Sequence, residues 1–209
     1  MYKHIIWDFD GTLFDTYPVM SVAFQKTLEG VGIAEPLEEI LQHMKLSISD
    51  TIKYYEKKYQ IDQEFIEKYK KLRKEMETDL CKTYPGIQEL CSYISTSGRY
   101  NYIFTHRGVT TAKHLKAHGL DKYFTECITS QQDFERKPSP DAIYYLIDKY
   151  HMNPKEAIMI GDRELDILSG KNAGIAACFF DEVGGRTCDA ADYTIHGFEE
   201  MYKIIDRAD

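Results

Sequence analysis

The sequence predicts an α/β fold, a parallel sheet covered by helices on both faces, with a small all-helical block inserted near its N-terminus. Three observations carry this. From about residue 84 onward, short apolar runs alternate with helical patterns. One further apolar run, HIIWDF at 4–9, stands alone at the start. Between them, from about 16 to 81, almost nothing strand-like occurs.

Taken in order, HIIWDF is rich in β-branched and aromatic residues and reads as a strand buried on both faces. The segments VMSVAFQKTLEGVG, PLEEILQHMK, SDTIKYYEKKY and DQEFIEKYKKLRKEMETDL then place apolar residues at three- and four-residue steps, punctuated by Gly32, Pro36 and Ser47 to Asp50. After YPGIQELCSYISTSG the rhythm becomes NYIFT (101–105), TTAKHLKAHGL, ECITS (126–130), PDAIYYLIDKYH, AIMIGD (157–162), ELDILSGKNAG and IAACFF (175–180). Strands alternating with helices of this length imply right-handed crossovers and a parallel sheet. The first strand joins that sheet only if the helical block is an insertion, so the expected core is discontinuous, 1–15 plus 82–209, and the helical domain is 16–81. No internal repeat or low-complexity segment interrupts this pattern.

At 209 residues, 43% hydrophobic and 29% charged, the chain has ordinary globular usage and enough length for a sizeable core. A net charge of −8 argues against broad affinity for nucleic acid or an anionic membrane, both of which need a basic surface. There is no apolar stretch of about 18 residues and no signal-peptide pattern, so the cytoplasm is the expected location. The cysteines at 81, 91, 127, 178 and 188 are odd in number and lack a C-x-x-C pair, and they read as reduced thiols. Cys91, Cys127 and Cys178 read as small hydrophobes. The basic run YKKLRK at 69–74 reads as the wet face of a helix, and tyrosines 54, 55, 59 and 69 as packing of the helical block.

The chemistry is concentrated at WDFDGTLFD. Two carboxylates placed close together after a greasy strand cost several kcal/mol unless a positive charge or a shared proton compensates. In open parallel sheets ligands bind at the carboxyl ends of strands. The residues just beyond these strands are Asp8 and Asp10, Thr105, and Asp162, with Lys137 in the loop ERKPSP. Acids gathered at one sheet edge call for a hard divalent cation, best Mg²⁺, and Lys137 adds a second cation for an anionic ligand. Gly11 permits close approach of backbone N–H groups to that anion, expected to be phosphate. Asp8 is the candidate nucleophile, and Asp10 the acid that protonates the leaving oxygen and the base for water.

These residues resemble the motifs of the haloacid dehalogenase (HAD) superfamily, and within it the phosphatases with a helical cap that are similar to phosphoglycolate phosphatase. DFDGTLFDT looks like the first motif, Thr105 in IFTHRG the second, Lys137 in RKPSPDAI the third, and Asp162 with Asp166 in IGDRELDI the fourth, all in order. YPGIQEL and GKNAG are further family-like stretches. The resemblance implies a Rossmann-like core with a helical cap, and an Mg²⁺-dependent phosphatase acting on a small phosphorylated metabolite through an aspartyl phosphate. By resemblance, Asp8 is the nucleophile and Asp10 the acid/base, whose carbonyl also binds metal. Thr105 and Lys137 hold phosphoryl oxygens. Asp162 binds metal, and Asp166 either joins it or orients Lys137 or a metal-bound water. Dehalogenases of the superfamily lack the second aspartate of the first motif, so Asp10 favours phosphate chemistry.

Gly11, Thr12, His106, Lys45 and Ser47 are the candidate substrate contacts. Relatives often carry asparagine where this chain has His106. His106 and the next residue, Arg107, either add a donor to the site or cap the following helix at the surface, and the ordinary exposure of His and Arg favours the surface. The same argument favours a solvated Arg163. In MKLSIS, Lys45, Ser47 and Ser49 are candidates to touch substrate, with a helix start at Ser49–Asp50 as the equal alternative. Tyr17 either lines the cleft or packs the hinge. Two other functions use the same scaffold: a phosphomutase of the β-phosphoglucomutase type and a non-catalytic regulator.

Overall fold

The computed structural model describes residues 1–207, apart from the side chains of residues 78 and 79. Two compact units result, one of Met1–Leu13 with Thr83–Asp209 and one of Phe14–Lys82. The chain runs from β1 (His4–Trp7) through β2 (Phe14–Asp15) into α1 (Tyr17–Glu29), α2 (Leu37–Leu46), α3 (Ile48–Tyr59) and α4 (Gln63–Leu80). It returns through β3 (Lys82–Thr83) to α5 (Ile87–Thr96), β4 (Tyr100–Phe104), α6 (Thr110–Ala117), β5 (Phe124–Ile128) and α7 (Asp141–Lys149). It ends with β6 (Ala157–Gly161), α8 (Glu164–Asn172), β7 (Ala176–Phe180), β8 (Tyr193–Ile195) and α9 (Met201–Asp206).

The first unit is the parallel α/β core. Its sheet has the order β5-β4-β1-β6-β7-β8, with every neighbour pair parallel. β1 lies at the centre, pairing Ile6 with Tyr102 on one side and with Met159 on the other. Each of its four residues is buried, as expected of a strand covered on both faces. Burying an Ile or Leu is worth about 1.5–3 kcal/mol, so Ile5, Ile6, Ile103, Ile158 and Ile160, all fully buried, fix the three central strands and with them their carboxyl ends. Trp7 carries a polar atom into this core, and Asn101 satisfies it: Trp7 Nε1 donates to Asn101 Oδ1 at 2.9 Å, while Asn101 Nδ2 donates to the Cys91 carbonyl at 3.0 Å. α8 packs on β6 and β7, and α5 on β4.

Several details depart from the sequence pattern: β5 covers Phe124–Ile128 rather than 126–130, and the short strands β2 and β3 fall where none was expected. The first strand stops at Trp7 rather than Phe9, although the Asp8 N–H still donates to the Ile160 carbonyl. NYIFT loses its threonine, so Thr105 stands just beyond β4, although its N–H still donates to the Ile128 carbonyl at 3.0 Å. β8 was not expected; three residues are too few to show a pattern.

The second unit is all-helical apart from β2 and the first residue of β3, which pair with each other as a separate two-stranded sheet. Phe24 is the hub of its core, with the rings of Tyr55, Phe65 and Tyr69 at 5.1–5.4 Å. Tyr17 belongs to this cluster. Of the tyrosine stripe, Tyr55 and Tyr69 are buried, whereas Tyr54 is exposed. Buried Glu35 is held by Lys58 and Tyr59. Ser47 starts α3, its hydroxyl accepting from the Asp50 N–H at 3.2 Å, so the cap lies two residues before the expected Ser49. All five cysteines are free. Among the described residues no helix is long and apolar enough to cross a membrane.

Candidate active site

The central position of β1 sets the site. Strands β4 and β6 flank it, so the residues that follow these three strands meet where the strand order reverses. Asp8 extends the register by one bond, its N–H donating to the Ile160 carbonyl at 2.8 Å, and its side chain is buried. Gly11 has φ +78°, a left-handed value that favours glycine, and the turn it makes brings Thr12 beneath Asp162, where its hydroxyl donates to Oδ1 at 3.3 Å.

Lys137 is the electrostatic centre. Its ammonium donates to Asp8 Oδ1 at 2.6 Å and to Asp166 Oδ1 at 2.7 Å, with a side-chain exposure of 0%. The Phe104 ring lies 4.8 Å from the same nitrogen. Asp166 uses its other oxygen to accept the Arg163 N–H at 3.1 Å, so both of its oxygens are engaged within the protein. Asp166 thus contacts Lys137, and it also belongs to the acidic group described next. Gly161 makes this possible: a Cβ there would sit 2.3 Å from the Asp166 Cβ.

Asp8, Asp162 and Asp166 bring one carboxylate oxygen each within 4.8 Å of one another, all three residues buried. Burial, and next the Asp166 charge, push the Asp8 carboxyl from 3.8 up to about 6, against the pull of Lys137. Asp8 Oδ2 is buried and has no hydrogen-bond partner among the described residues. An orphaned carboxylate oxygen of this kind is costly, and the all-oxygen donor set fits a hard divalent cation. Asp8 and Asp162 can hold such an ion.

Arg107 overturns the expectation of a surface residue. It is buried, its guanidinium paired with Asp10 and 5.1 Å from the Phe9 ring centroid. The acid supplies the reason: a largely buried carboxylate at the sheet edge draws the cation inward, and the Phe9 face covers it. The Arg107 N–H donates to Thr105 Oγ1 at 3.1 Å. Arg163 is likewise half-buried, with Nε 3.9 Å from Asp166 Oδ2. His106 is half-buried too and faces Lys137: Nε2 accepts the Lys137 N–H at 2.8 Å. Burial, then the charge of Lys137, push this imidazole down to about 3, so it is neutral.

Asp8, Asp10, Gly11, Thr12, Thr105, His106, Lys137, Asp162 and Asp166 all lie in the first unit. Lys45 lies in the last turn of α2 and Ser47 at the start of α3, in the second unit.

Sequence reasoning missed the loop after β7. Asp181 is buried and takes two hydrogen bonds from Arg186, from Nε and from the backbone N–H, both at 2.8 Å. Burial opposes its ionisation, but these bonds hold it below the usual carboxylate range. Arg186 then donates from Nη1 to the Asp162 carbonyl at 3.0 Å and from Nη2 to the Phe180 carbonyl at 3.2 Å. The strand-end rule, carried one strand further, points to Asp181.

Asp8 thus stands buried at the carboxyl end of the central parallel strand, bridged by Lys137 to Asp166 and adjoining Asp162. The family model described as haloacid dehalogenase-like hydrolase matches residues 5–180, and the chain belongs to that family. It is similar to the pyrophosphatase PpaX of Bacillus pumilus, 28% identical over 201 residues that cover 95% of this chain and 87% of the relative. It is also similar to the phosphoglycolate phosphatase of Vibrio parahaemolyticus, 27% identical over 186 residues, 84% of this chain and 82% of the relative. Among solved structures, a hydrolase from Streptococcus pneumoniae matches with a TM-score of 0.69 and 28% identity, covering 99% of both chains.

Proposed function

We propose that the chain is an Mg²⁺-dependent phosphatase that hydrolyses a small phosphorylated metabolite through an aspartyl phosphate on Asp8. The observation that carries this is Asp8 itself: one oxygen is held by Lys137 and the other is buried without a hydrogen-bond partner among the described residues, beside Asp162. The names of the relatives, a pyrophosphatase and a phosphoglycolate phosphatase, support phosphate as the group attacked.

In this reading Lys137 and Thr105 hold the phosphoryl oxygens, and the N–H groups that follow Gly11 face the same anion. The carboxylates of Asp8 and Asp162, with the Asp10 carbonyl, would hold Mg²⁺, which supplies Lewis-acid neutralisation of the phosphoryl charge when bound. Asp8 attacks phosphorus, the bond to the leaving oxygen breaks, and Asp10 gives that oxygen its proton. Water then attacks the aspartyl phosphate, Asp10 takes the water proton, and Asp8 is regenerated. Arg107 holds the Asp10 carboxylate between these steps. Lys45 and Ser47, an ammonium and a hydroxyl, are proposed substrate contacts on chemical grounds.

The test is phosphate release from a panel that includes pyrophosphate, phosphoglycolate, sugar phosphates and nucleotides, with Mg²⁺ and with EDTA, for the wild type and Asp8→Asn. Release that needs both the ion and Asp8, with a loss of at least about a thousandfold in the variant, supports the reading. Isomer formation from a bisphosphate-primed sugar phosphate, with little release, would make it a mutase instead. Silence from a folded protein would leave a non-catalytic role.

A further inference from the structure

The loop that delivers Lys137 is anchored by Phe134, which packs on the core beside Tyr145, but its other residues ahead of Lys137 are open. Residues 131–133, Glu135 and Arg136 are exposed. The backbone bonds within it are local: Gln132 N–H to the Thr129 carbonyl, Phe134 N–H to Gln132, and Ser139 N–H to Arg136. Yet the lysine at its end reaches into a site where its side-chain exposure is 0% and where 2.6 Å and 2.7 Å bonds to two aspartates must both be made. Ser130 N–H donates to the Arg107 carbonyl at 2.8 Å near the start of the loop, and two contacts tie the backbone beside Lys137 to the rest of the core. Asn172 Nδ2 donates to the Pro138 carbonyl at 3.0 Å from α8, and His106 Nε2 accepts the Lys137 N–H at 2.8 Å from the end of β4.

The second tie has a particular geometry. His106 follows Thr105 directly, so one hydrogen bond links the residue next to the candidate phosphate-binding hydroxyl with the backbone of the candidate phosphate-binding ammonium. Because a backbone N–H can only donate, Nε2 must be the bare nitrogen and Nδ1 carries the proton. The ring is neutral, as noted above, which leaves Nε2 free to accept this bond. We propose that His106 is a positioning residue for the phosphoryl site: through Nε2 it fixes the Lys137 backbone, and so the ammonium, in register with Thr105. This deepens the phosphatase reading and rests on it for its consequence in turnover, but not for its effect on anion binding. It also replaces the expectation that His106 contacts substrate.

The test uses the reach of side chains. Nε2 of histidine lies four bonds from Cα, as does the amide oxygen of glutamine, whereas that of asparagine lies three bonds away. The variants are therefore His106→Gln, His106→Asn and His106→Phe in the full chain. Two readouts are taken beside the melting temperature: equilibrium binding of orthovanadate, a phosphate analogue, by calorimetry, and kcat/KM on the best substrate. A reacting group displaced by about 1 Å can cost a hundredfold, so a partial slip in His106→Phe and His106→Asn is expected to weaken vanadate binding and kcat/KM at least about tenfold, with His106→Gln within about threefold of wild type.

Wild-type binding and turnover in the phenylalanine variant would overturn the proposal. So would rescue by asparagine equal to that by glutamine, or losses that follow only the melting temperature. If the wild type binds vanadate in the expected variant order but releases no phosphate from any compound, the phosphatase reading falls and the tether stands. If the wild type binds no vanadate, both fall.

Discussion

Replacing Asp8 with asparagine is expected to stabilise the protein at pH 8 while removing its turnover. The carboxyl titrates at about 6 in the fold against 3.8 as its ordinary value, because burial and the neighbouring Asp166 disfavour its charge more than Lys137 favours it. Between those two values the folded state binds more proton than the unfolded one, so stability falls as pH rises. The contribution is intact below pH 3.8 and is lost by the time pH has passed about 6. A difference of about two pH units corresponds to about 3 kcal/mol. Asparagine cannot ionise, so its advantage over aspartate should be near zero at pH 4 and grow to about 3 kcal/mol at pH 8. For a chain of this length, at about 2–4 °C per kcal/mol, that is about 6–12 °C in melting temperature. Thermal unfolding of both proteins in EDTA, at intervals from pH 4 to 8, measures it directly. An asparagine variant that melts below wild type at pH 8, or a gain that does not change with pH, would refute the reasoning.

Three other outcomes follow from the same contacts. Lys137→Met strands Asp8 and Asp166 as neighbouring buried carboxylates and should cost about 3–5 kcal/mol in denaturant melts at pH 8, less at pH 5 where Asp8 gains its proton. Gly161→Ala puts a methyl 2.3 Å from the Asp166 Cβ; a loss of about 1–3 kcal/mol together with weakened vanadate binding is expected, and wild-type behaviour in both would show that α8 can yield. Arg186→Gln releases the Asp162 carbonyl, and calorimetric titration with Mn²⁺ should show about 10–100-fold weaker binding.

The legible part of this protein is whatever depends on local pattern. Asp8, Thr105 and Asp162 could be placed because an apolar run marks a buried strand, and the residue after such a strand in a parallel sheet stands at the ligand edge. The four helices of the inserted unit were legible for a similar reason, since their apolar residues recur at helical steps. Arg107 was not legible, because nothing beside it explains its burial; its partner Asp10 lies far along the chain. The role of His106 stayed open for the same reason, since a loop backbone distant in sequence supplies the N–H it accepts. Gly161 reads as part of a strand-end motif, but its necessity comes from Asp166 pressing on it. Arg186 looks like any charged residue after two glycines until Asp181 and the Asp162 carbonyl are seen around it.

The central place of β1 has a consequence for how the chain acquires its fold. Residues 4–7 leave the ribosome well before their partners, residues 100–103 and 157–160, so the middle of the sheet cannot close until residue 160 has been made. At about 5–20 residues per second, the apolar strand waits for several seconds. What lies between is not slack chain. The helical unit has its own core, and the strands at its two ends, β2 and β3, pair with each other. Once it has folded, the excursion from β1 to β4 shortens for closure to residues 8–13 and 84–99, and the entropy of bringing the distant strands together falls with it. A chain in which the helical unit is destabilised is therefore expected to reach its native sheet more slowly in refolding experiments, even where the finished sheet is unchanged.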